Sequence, residues 1–456
     1  MSISLSNNTK TLIYFFLINL VITFFHIDTW NNGNTTSRIL SVVSYFETGT
    51  FQIDKYYQMT GDNAYINGHY YSDKAPLPTL MIIPVFGLLK SLGIITSSNG
   101  SYLGKHVYAL GAVICSIIPF VLILCFTFVR LRKNNNFSPA LLSSLPFYAS
   151  FIFIYAGTFY NHIISAFFLL VGYMFLKDKK FWFAGMFSGL AFLCDFFIAV
   201  FIAVWAIQIL WNEHKISPLL KFVITVLPSI FFIMIFNYHF TGSAFTMLYK
   251  YSAFLEMNQN YGFRYPSPEA LWGILFSSYK GMFFYAPVLF LVLYYSLKKL
   301  IQNSLKNALR TTLSNYLILP CLLVIFLIST HFAWRGGWSF GSRYILFIAV
   351  IFFYEGLSLI SSNLYTKAMF WILVFTGLIF SFSAKITVLY SIPSDMQFPL
   401  TELFIIAIKS FEFNNGNILT YLFGTKPIIA NFIWLLLFGI LMCLLSKIKF
   451  YNEKIN

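Results

Sequence analysis

The sequence predicts an all-α integral membrane protein with about twelve transmembrane helices, and three observations support this prediction. Hydrophobic residues make up 58% of the 456 residues and charged residues only 10%, and the mean hydropathy is +0.74. This composition excludes an ordinary soluble domain. Many stretches approach the roughly 20 apolar residues that cross a bilayer. Between them lie short basic runs typical of cytoplasmic loops, namely Arg130–Lys133, Lys177–Lys180, Lys298–Arg310 and Lys447–Lys454.

The basic loops set the predicted topology. The first apolar segment, 11–27, follows Lys10 and lacks a small-residue cleavage site, so we expect an uncleaved anchor with a cytoplasmic N-terminus. The predicted spans are 11–27, 105–129, 138–156, 160–176, 181–195, 197–212, 218–239, 282–297, 312–330, 344–360, 368–390 and 429–446. Segment 77–94 is apolar as well, but a span there would move Arg130–Lys133 outside. We therefore expect a re-entrant or interfacial helix interrupted by Pro84.

The polar sequence outside the basic loops is expected on the extracytoplasmic side. It forms a long first loop with interfacial helices, 28–104, and further outer loops at 240–281, 331–343 and 391–428. Most acidic residues lie in these loops, so the net charge of +15 reflects cytoplasmic loops and argues against a nucleic-acid partner. We recognise no internal repeat or soluble domain, and residues 1–456 are predicted to form one multispanning domain.

Cysteine and histidine spacing predicts no preformed metal site. The five cysteines stand singly inside apolar stretches, without a CxxC pair. The seven histidines are scattered and show no HExxH pattern.

The first helix ends in HIDTWNNGNTTSRIL, which places Asp28 at interface depth on the predicted outer side. Asp28 could simply be the first residue in water. Ionisable residues held at this depth are nevertheless functional candidates, and we favour a working role for Asp28.

The first loop continues with ETGTFQIDKYYQMTGDNAYINGHYYSDKAPLP, whose glycines and asparagines predict tight turns. For Asp54 taken alone, a solvated surface position is the better interpretation. His69 and His162 are the histidines whose substitution would be most informative. Asp195, between two short spans, could belong to a buried polar pair, but we favour a hairpin tip.

The segment HFAWRGGWSFGSRY joins two spans on the outer side. Arg335 and Arg343 flank a glycine-rich turn, and arginine forks suit phosphate oxygens. Snorkelling anchors are nearly as good an interpretation of each arginine alone, and Trp338 could be an ordinary interface tryptophan. In the second loop we predict a short interfacial helix at 269–276, where Arg264 and Lys280 could face a lipid head group or only anchor the chain.

Taken in order, several of these pieces resemble one family. They are Asp28 after the first span with Arg38 following, SVVSYFETGTFQID, GHYYSDKAP, FYNH at 159–162, PSPEALWGILFSSYKGMFFYAPV and WRGGWSFGSRY. Over about three quarters of the chain they resemble the GT-C integral membrane glycosyltransferases that use polyprenyl-phosphate sugars. Within that superfamily, the sequence resembles bacterial members related to the protein O-mannosyltransferases and the lipid A aminoarabinose transferases.

The resemblance implies a GT-C-like bundle in the inner or plasma membrane and inverting transfer on the extracytoplasmic face. It implies a polyprenyl-phosphate-linked sugar as donor and a lipid, glycan or protein of the envelope as acceptor. Asp28 matches the catalytic base. Some relatives have two adjacent acids there, whereas this chain has Asp28-Thr29, so Glu47 and Asp54 are the fallback acids. Some branches of the family use a divalent metal and others do not, and this sequence contains no clear ligand set.

The chemistry assigns further roles. A carboxylate can take the proton of an attacking hydroxyl, and cations can neutralise the leaving phosphate. The phosphate-binding candidates are Arg343 first, then Arg335, Lys74 and Lys105. The substrate-binding candidates are Arg38, Glu47, Asp54, His69, Tyr70, Tyr71, Asp73, His162, Arg264 and Trp338.

Two other functions remain open. A transporter or flippase of lipid-linked sugars would share the spans and a basic pocket, but such proteins often show inverted repeats and midplane charges. Here the charges lie at the outer edge, and only Glu355 falls clearly within a span. A surface-polysaccharide polymerase or ligase would be expected to carry one large late outer loop, whereas the largest loop here is the first.

Overall fold

The computed structural model describes residues 6–27, 32–95, 100–133, 137–302, 314–360 and 363–448. Within these ranges the regular secondary structure is helical apart from one two-stranded hairpin, which confirms the all-α prediction. The helices of the first half are α1 (Asn7–Phe24), α2 (Gly33–Thr48), α3 (Pro76–Ser91), α4 (Gly100–Ala112), α5 (Ile118–Leu131), α6 (Pro139–Tyr148), α7 (Phe151–Tyr155), α8 (His162–Lys177), α9 (Phe181–Cys194), α10 (Ile198–Glu213) and α11 (Ile216–Thr241). Those of the second half are α12 (Leu255–Asn258), α13 (Pro268–Leu275), α14 (Met282–Tyr285), α15 (Leu289–Ile301), α16 (Ile318–Ser329), α17 (Leu346–Gly356), α18 (Leu364–Ile386), α19 (Ile405–Lys409), α20 (Ile418–Phe423) and α21 (Pro427–Ser446).

The long apolar helices make the chain a multi-pass integral membrane protein. Among the described residues, four helices are long and apolar enough to cross a membrane, at Leu103–Leu131, Ile216–Thr241, Leu364–Ile386 and Pro427–Ser446. The first of these joins α4 and α5 through a π-helical turn at Val113–Ile117. Shorter apolar helices of 10–17 residues, including α8, α9 and α10, accompany them. The number of about twelve crossings stays a prediction.

Three predicted segments differ in detail. Helix α3 runs without interruption through Pro84, so the expected break there is wrong. Predicted span 138–156 is instead two helices, because Ser150 is extended and its hydroxyl caps α7 by accepting the Ile152 N–H. Predicted span 282–297 is divided between α14 and α15, where Pro287 lacks the N–H that a continuous helix requires.

Small residues let the helices around α9 approach closely. Gly185 and Gly189 form a GxxxG pattern on the α9 face towards α11. A Cβ at Gly185 would lie 2.2 Å from the Phe222 carbonyl oxygen, and one at Gly189 would lie 2.5 Å from Ser229 Oγ. Helices in lipid associate through such close packing, so these glycines set the α9–α11 spacing.

The first outer loop contains α2, α3 and the hairpin. Strand β1 (Ala64–Ile66) pairs antiparallel with β2 (His69–Tyr71), and Ile66 lies opposite His69. The turn residues Asn67 and Gly68 both have positive φ, 51° and 88°, as a two-residue hairpin turn requires. The prediction of a tight turn is confirmed here.

Candidate functional site

The segment that leads from α7 to α8, Tyr155–His162, here called the hub segment, brings several distant parts of the chain together. Its backbone turns at Gly157, where φ is +98°. A Cβ at this position would lie 2.1 Å from the carbonyl oxygen of His26, just beyond α1. The Gly157 N–H donates to Ser116 Oγ at 2.9 Å. Only glycine therefore allows the hub segment to pack against the end of the first helix.

Arg38 of α2 reaches the hub segment as a buried cation, with 1% of its surface exposed. Its Nη2 donates to Asn161 Oδ1 at 3.0 Å and its Nη1 to the Ala75 carbonyl at 2.9 Å. Asn161 in turn donates to the Cys194 carbonyl at 2.8 Å. Among the described residues no carboxylate forms a salt bridge with Arg38, so its positive charge is available to an anionic ligand.

His162 and Asp195 form a buried pair beside Arg38. His162 Nδ1 lies 3.6 Å from Asp195 Oδ2, and both side chains are at most 6% exposed. Asp195 does lie at the turn between α9 and α10, as expected, but this turn is buried, and Asp195 also forms the buried polar pair that was the alternative. His162 is also near enough to interact electrostatically with both Arg38 and Arg343. Its Nε2 has no hydrogen-bond partner within the described ranges.

Arg343 approaches the hub segment from the opposite side. It lies in a 3-10 turn, Arg343–Ile345, and its guanidinium covers the rings of Tyr160 and Tyr344 at 5.3 and 5.1 Å. A Cβ at Gly336 would come within 3.0 Å of Arg343 Nε, and φ there is +73°. The glycine-rich turn therefore lets Arg343 pass beneath the loop. Arg343 is 9% exposed, and its Nε has no hydrogen-bond partner in the part of the chain that the structure describes.

Lys280 is a second cation of this loop. It follows α13, is 1% exposed and donates to Ser339 Oγ at 2.9 Å, to the Gly337 carbonyl at 3.3 Å and to the Ser339 carbonyl. Burial, with the positive charges of Arg343 and Arg335, lowers the pKa of Lys280 to about 7. An anion bound between these cations would offset the positive charges of Arg343 and Arg335 and so raise the pKa of Lys280 again.

A third cation, Lys74, lies between two carboxylates. Its Nζ is 2.8 Å from Asp73 Oδ1 and 3.2 Å from Asp62 Oδ2, and it sits 5.8 Å from the ring of Tyr249. Burial alone would lower the pKa of Lys74, but the two carboxylates outweigh it and the pKa is raised. Asp73 also accepts from Ser252 at 3.1 Å. Lys74 is therefore less available to a phosphate than Arg38 or Arg343.

A chain of contacts joins these groups. Arg38 bonds Asn161, the neighbour of His162, and the His162 ring lies 6.2 Å from the ring of Tyr344, which Arg343 covers. On the other side, Tyr249 lies 5.8 Å from Lys74 and 6.1 Å from the ring of Phe196, next to Asp195. Five of the predicted site residues come together here, namely Arg38, Asp73, Lys74, His162 and Arg343.

The other predicted residues lie apart from this centre or at its edge. Arg335 bonds Glu269 at 2.8 Å and is about one-third exposed, so it sits at the rim beside Lys280. Tyr71 lines a small cleft with Lys74 and packs on Phe240. The exposed predicted residues are Lys105, Arg264 and Trp338.

Four predicted residues stabilise the first loop instead. Glu47 accepts from Tyr56 at 2.7 Å and pairs with Lys55 at 3.2 Å. Asp54 binds His69 Nδ1 at 2.7 Å and accepts the Tyr70 N–H at 2.6 Å, which ties the loop to strand β2. Tyr70 stacks on Tyr57 at 4.1 Å.

The predicted base, Asp28, lies outside the described residues. The chain just before it is held firmly: His26 is buried, and its Nε2 lies 2.8 Å from Asn431 Oδ1. The Phe25 carbonyl accepts the Ile418 N–H at 2.9 Å. The end of α1 is thus anchored to the hub segment, to α20 and to α21.

Sequence reasoning missed Asn161, Tyr249 and the buried state of Lys280. The motif FYNH contains Asn161, but nothing local distinguishes it from an interface asparagine. For Lys280, the nearby apolar residues were a signal, since a lysine there must either reach water or find several acceptors. In the described ranges, no group of three or more His, Cys, Asp or Glu side chains could hold a metal ion.

Comparison with known proteins found structural likeness only. No protein-family model and no curated protein matched the sequence. The fold is similar to that of ArnT from Cupriavidus metallidurans bound to undecaprenyl phosphate, with 12% identity and a TM-score of 0.48 over 96% of this chain and 77% of that one. It is also similar to the archaeal oligosaccharyltransferase AglB from Archaeoglobus fulgidus in complex with an inhibitory peptide and a dolichol-phosphate, with 11% identity and a TM-score of 0.45 over 85% of this chain and 56% of that one. The apo state of the same ArnT has 13% identity and a TM-score of 0.46.

ArnT and AglB are GT-C glycosyltransferases, the superfamily that the sequence motifs resemble. With TM-scores below 0.5 and identities of 11–13%, the likeness alone establishes neither an activity nor substrates for this chain.

Proposed function

We propose that this protein is an inverting glycosyltransferase. It moves a sugar from a polyprenyl-phosphate donor to a hydroxyl of an envelope lipid, glycan or protein on the extracytoplasmic face. The observation that carries the proposal is the set of buried cations around the hub segment, in which Arg38 and Arg343 lack carboxylate partners among the described residues and approach one buried His–Asp pair. Burying a cation costs desolvation free energy, and cations that served only as screened surface charges would not need to be buried.

The cations are suited to the leaving group. In the transfer the bond from the anomeric carbon to the phosphate oxygen breaks, and polyprenyl phosphate departs with the electron pair. Its negative charge needs preorganised donors in a water-poor site. Arg343 is the leading ligand because its Nε has no other partner in the described part of the chain, while Lys280 and Arg335 add positive charge nearby. Arg38 is a second phosphate or pyranose-oxygen donor.

The acceptor hydroxyl must lose its proton as its oxygen bonds to the anomeric carbon. We propose Asp28 as the base, on the strength of the sequence resemblance and of the anchored chain just before it. Among the described carboxylates, Asp54 and Glu47 are engaged in the first loop, which makes them poor fallback bases. Asp195 with His162 is the better second acid–base group, because it is buried beside both arginines and His162 Nε2 is unpartnered within the described ranges.

The test uses purified protein with a polyprenyl-phosphate sugar, and measures the release of polyprenyl phosphate. Wild type is compared with Asp28→Asn and with Asp54→Asn, a matched removal of one carboxylate in the same outer loop. We expect Asp28→Asn to lower the rate by 10²-fold or more and Asp54→Asn to change it less than about threefold. Equal rates for wild type and Asp28→Asn would remove Asp28 as base. Movement of the intact donor across the bilayer without bond cleavage would replace the transferase by a transporter.

A further inference from the structure

A groove lies between the beginning of α1 and the end of α5. Its volume is about 860 Å³, within the usual range of roughly 300–1,000 Å³ for small-molecule sites. The walls are mainly apolar, and the residues that define them are Leu12, Ile13 and Phe16 of α1 with Leu122, Phe126 and Val129 of α5. Met174 and Tyr354, from the last turns of α8 and α17, close one end.

Three cations, Arg130, Arg132 and Lys133, line the same end of the groove. Arg130 already has a carboxylate partner: it binds Glu355, which also accepts from Lys177 at 2.8 Å, and its guanidinium lies 4.7 Å from the Tyr354 ring. Arg132 and Lys133 are exposed, and no salt bridge links either to a carboxylate in the described part of the chain. An apolar groove therefore ends at two cations that pair with no carboxylate of the described residues.

We propose that this groove binds one membrane phospholipid with an anionic head group, whose acyl chains fill the apolar wall and whose phosphate contacts Arg132 and Lys133. Two features favour this occupant. Helices α1 and α5 belong to predicted membrane spans, so the groove opens towards acyl chains. The rim cations complement a negative head group, and each basic residue near a membrane surface adds attraction for anionic lipid. A zwitterionic lipid offers the same phosphate, but its ammonium group cancels that charge and is repelled by the two cations.

The site is separate from the proposed transferase centre. By the positive-inside rule, Arg130–Lys133 lie on the cytoplasmic side, whereas the proposed sugar transfer is extracytoplasmic. The proposal does not depend on the transferase function, and each can fail without the other.

The test uses delipidated full-length protein in detergent, incubated with equal amounts of phosphatidylglycerol and phosphatidylcholine of identical acyl chains. Native mass spectrometry counts the lipids retained per chain. We expect one phosphatidylglycerol to be retained preferentially. In the double variant Arg132→Gln with Lys133→Gln, its affinity should fall roughly 10- to 30-fold. The matched control, Lys215→Gln with Lys221→Gln, removes two exposed cations from the predicted cytoplasmic side of α11 and should retain the lipid.

A second variant separates the groove from simple surface charge. Ile13→Trp with Val129→Trp fills the groove and keeps every cation, and it should also lose the bound lipid. Retention of phosphatidylglycerol in this variant or in the Arg132/Lys133 variant would overturn the proposal. Equal retention of phosphatidylcholine, or equal loss of lipid in the lysine control, would also overturn it. The same holds if equimolar undecaprenyl phosphate displaces the phosphatidylglycerol, or if the protein is a dimer that retains no lipid.

Discussion

Binding of a phosphate-bearing lipid should take up a proton at Lys280. In the free protein, burial and the charges of Arg343 and Arg335 hold the pKa of Lys280 at about 7 instead of 10.5. A phosphate between these cations cancels part of their repulsion and favours the ammonium form. The ammonium also has its hydrogen-bond acceptors in place, in Ser339 Oγ and the carbonyls of Gly337 and Ser339.

The magnitude follows from the fraction of protein that carries the proton. With a pKa of about 7, roughly half of the free Lys280 side chains are charged at pH 7 and about 1% at pH 9. If only the charged form binds, the affinity for polyprenyl phosphate falls about 50-fold between pH 7 and pH 9, approaching tenfold per pH unit above pH 7. Lys280→Met should bind more weakly at pH 7 and lose this slope.

The assay is titration calorimetry of undecaprenyl phosphate into detergent-solubilised protein, in buffers that differ in ionisation enthalpy. Wild type should take up close to one proton per ligand at pH 8. Lys280→Met corrects for the ionisation of the ligand phosphate itself, so the difference between the two proteins is the quantity of interest. Parallel pH profiles for wild type and Lys280→Met, or no proton uptake, would refute the reasoning.

The lowered pKa of Lys280 also makes the free energy of unfolding depend on pH. Because the folded-state pKa of Lys280 is lowered, the unfolded chain binds more protons between pH 7 and pH 10.5. The contribution of Lys280 to stability is therefore fully present above pH 10.5, where the lysine is neutral in both states. As the pH falls from 10.5 to 7 this contribution is lost, and the free energy of unfolding decreases by up to about 1.4 kcal/mol per pH unit. The apparent unfolding temperature of wild type relative to Lys280→Met should rise between pH 7 and pH 9, and a flat difference would contradict the burial argument.

Four further substitutions test the site. Arg343→Lys should lower the rate of sugar transfer 10- to 100-fold, because lysine cannot reproduce the planar fork over Tyr160 and Tyr344. Arg335→Lys, at the exposed rim, should lower it less than about fivefold. Equal losses in the two variants would contradict the ranking of Arg343 above Arg335 as phosphate ligand. Asp195→Asn should lower the rate of transfer and alter its pH profile while leaving donor binding within about threefold, and an unchanged profile would limit Asp195 to a structural role. Gly157→Ala should destabilise the fold by more than about 2 kcal/mol, since its Cβ would meet the His26 carbonyl at 2.1 Å and φ is +98°; an unchanged unfolding temperature would show that the end of α1 can move.

Much of the architecture followed from local properties of the sequence. The apolar segments and the helix near 269–276 each depend on a few neighbouring residues, and the structure has helices at those places. Pro84 shows the limit of local reasoning. Its missing N–H leaves one carbonyl of α3 without its helical partner, yet the helix continues because its apolar face, including Ile82 and Phe86, packs inside the protein.

The sequence by itself determined the class of protein, because hydrophobic content and the positions of basic runs decide whether a chain enters a membrane. The order of its motifs also identified Arg38, Arg335 and Arg343 as candidate site residues. Only the tertiary structure decided that Arg38, His162, Lys280 and Arg343 share one centre, and that the turn at Asp195 is buried beside His162. These residues are far apart in the chain. Their meeting depends on helix packing and on the sharp turn at Gly157, which no local pattern encodes.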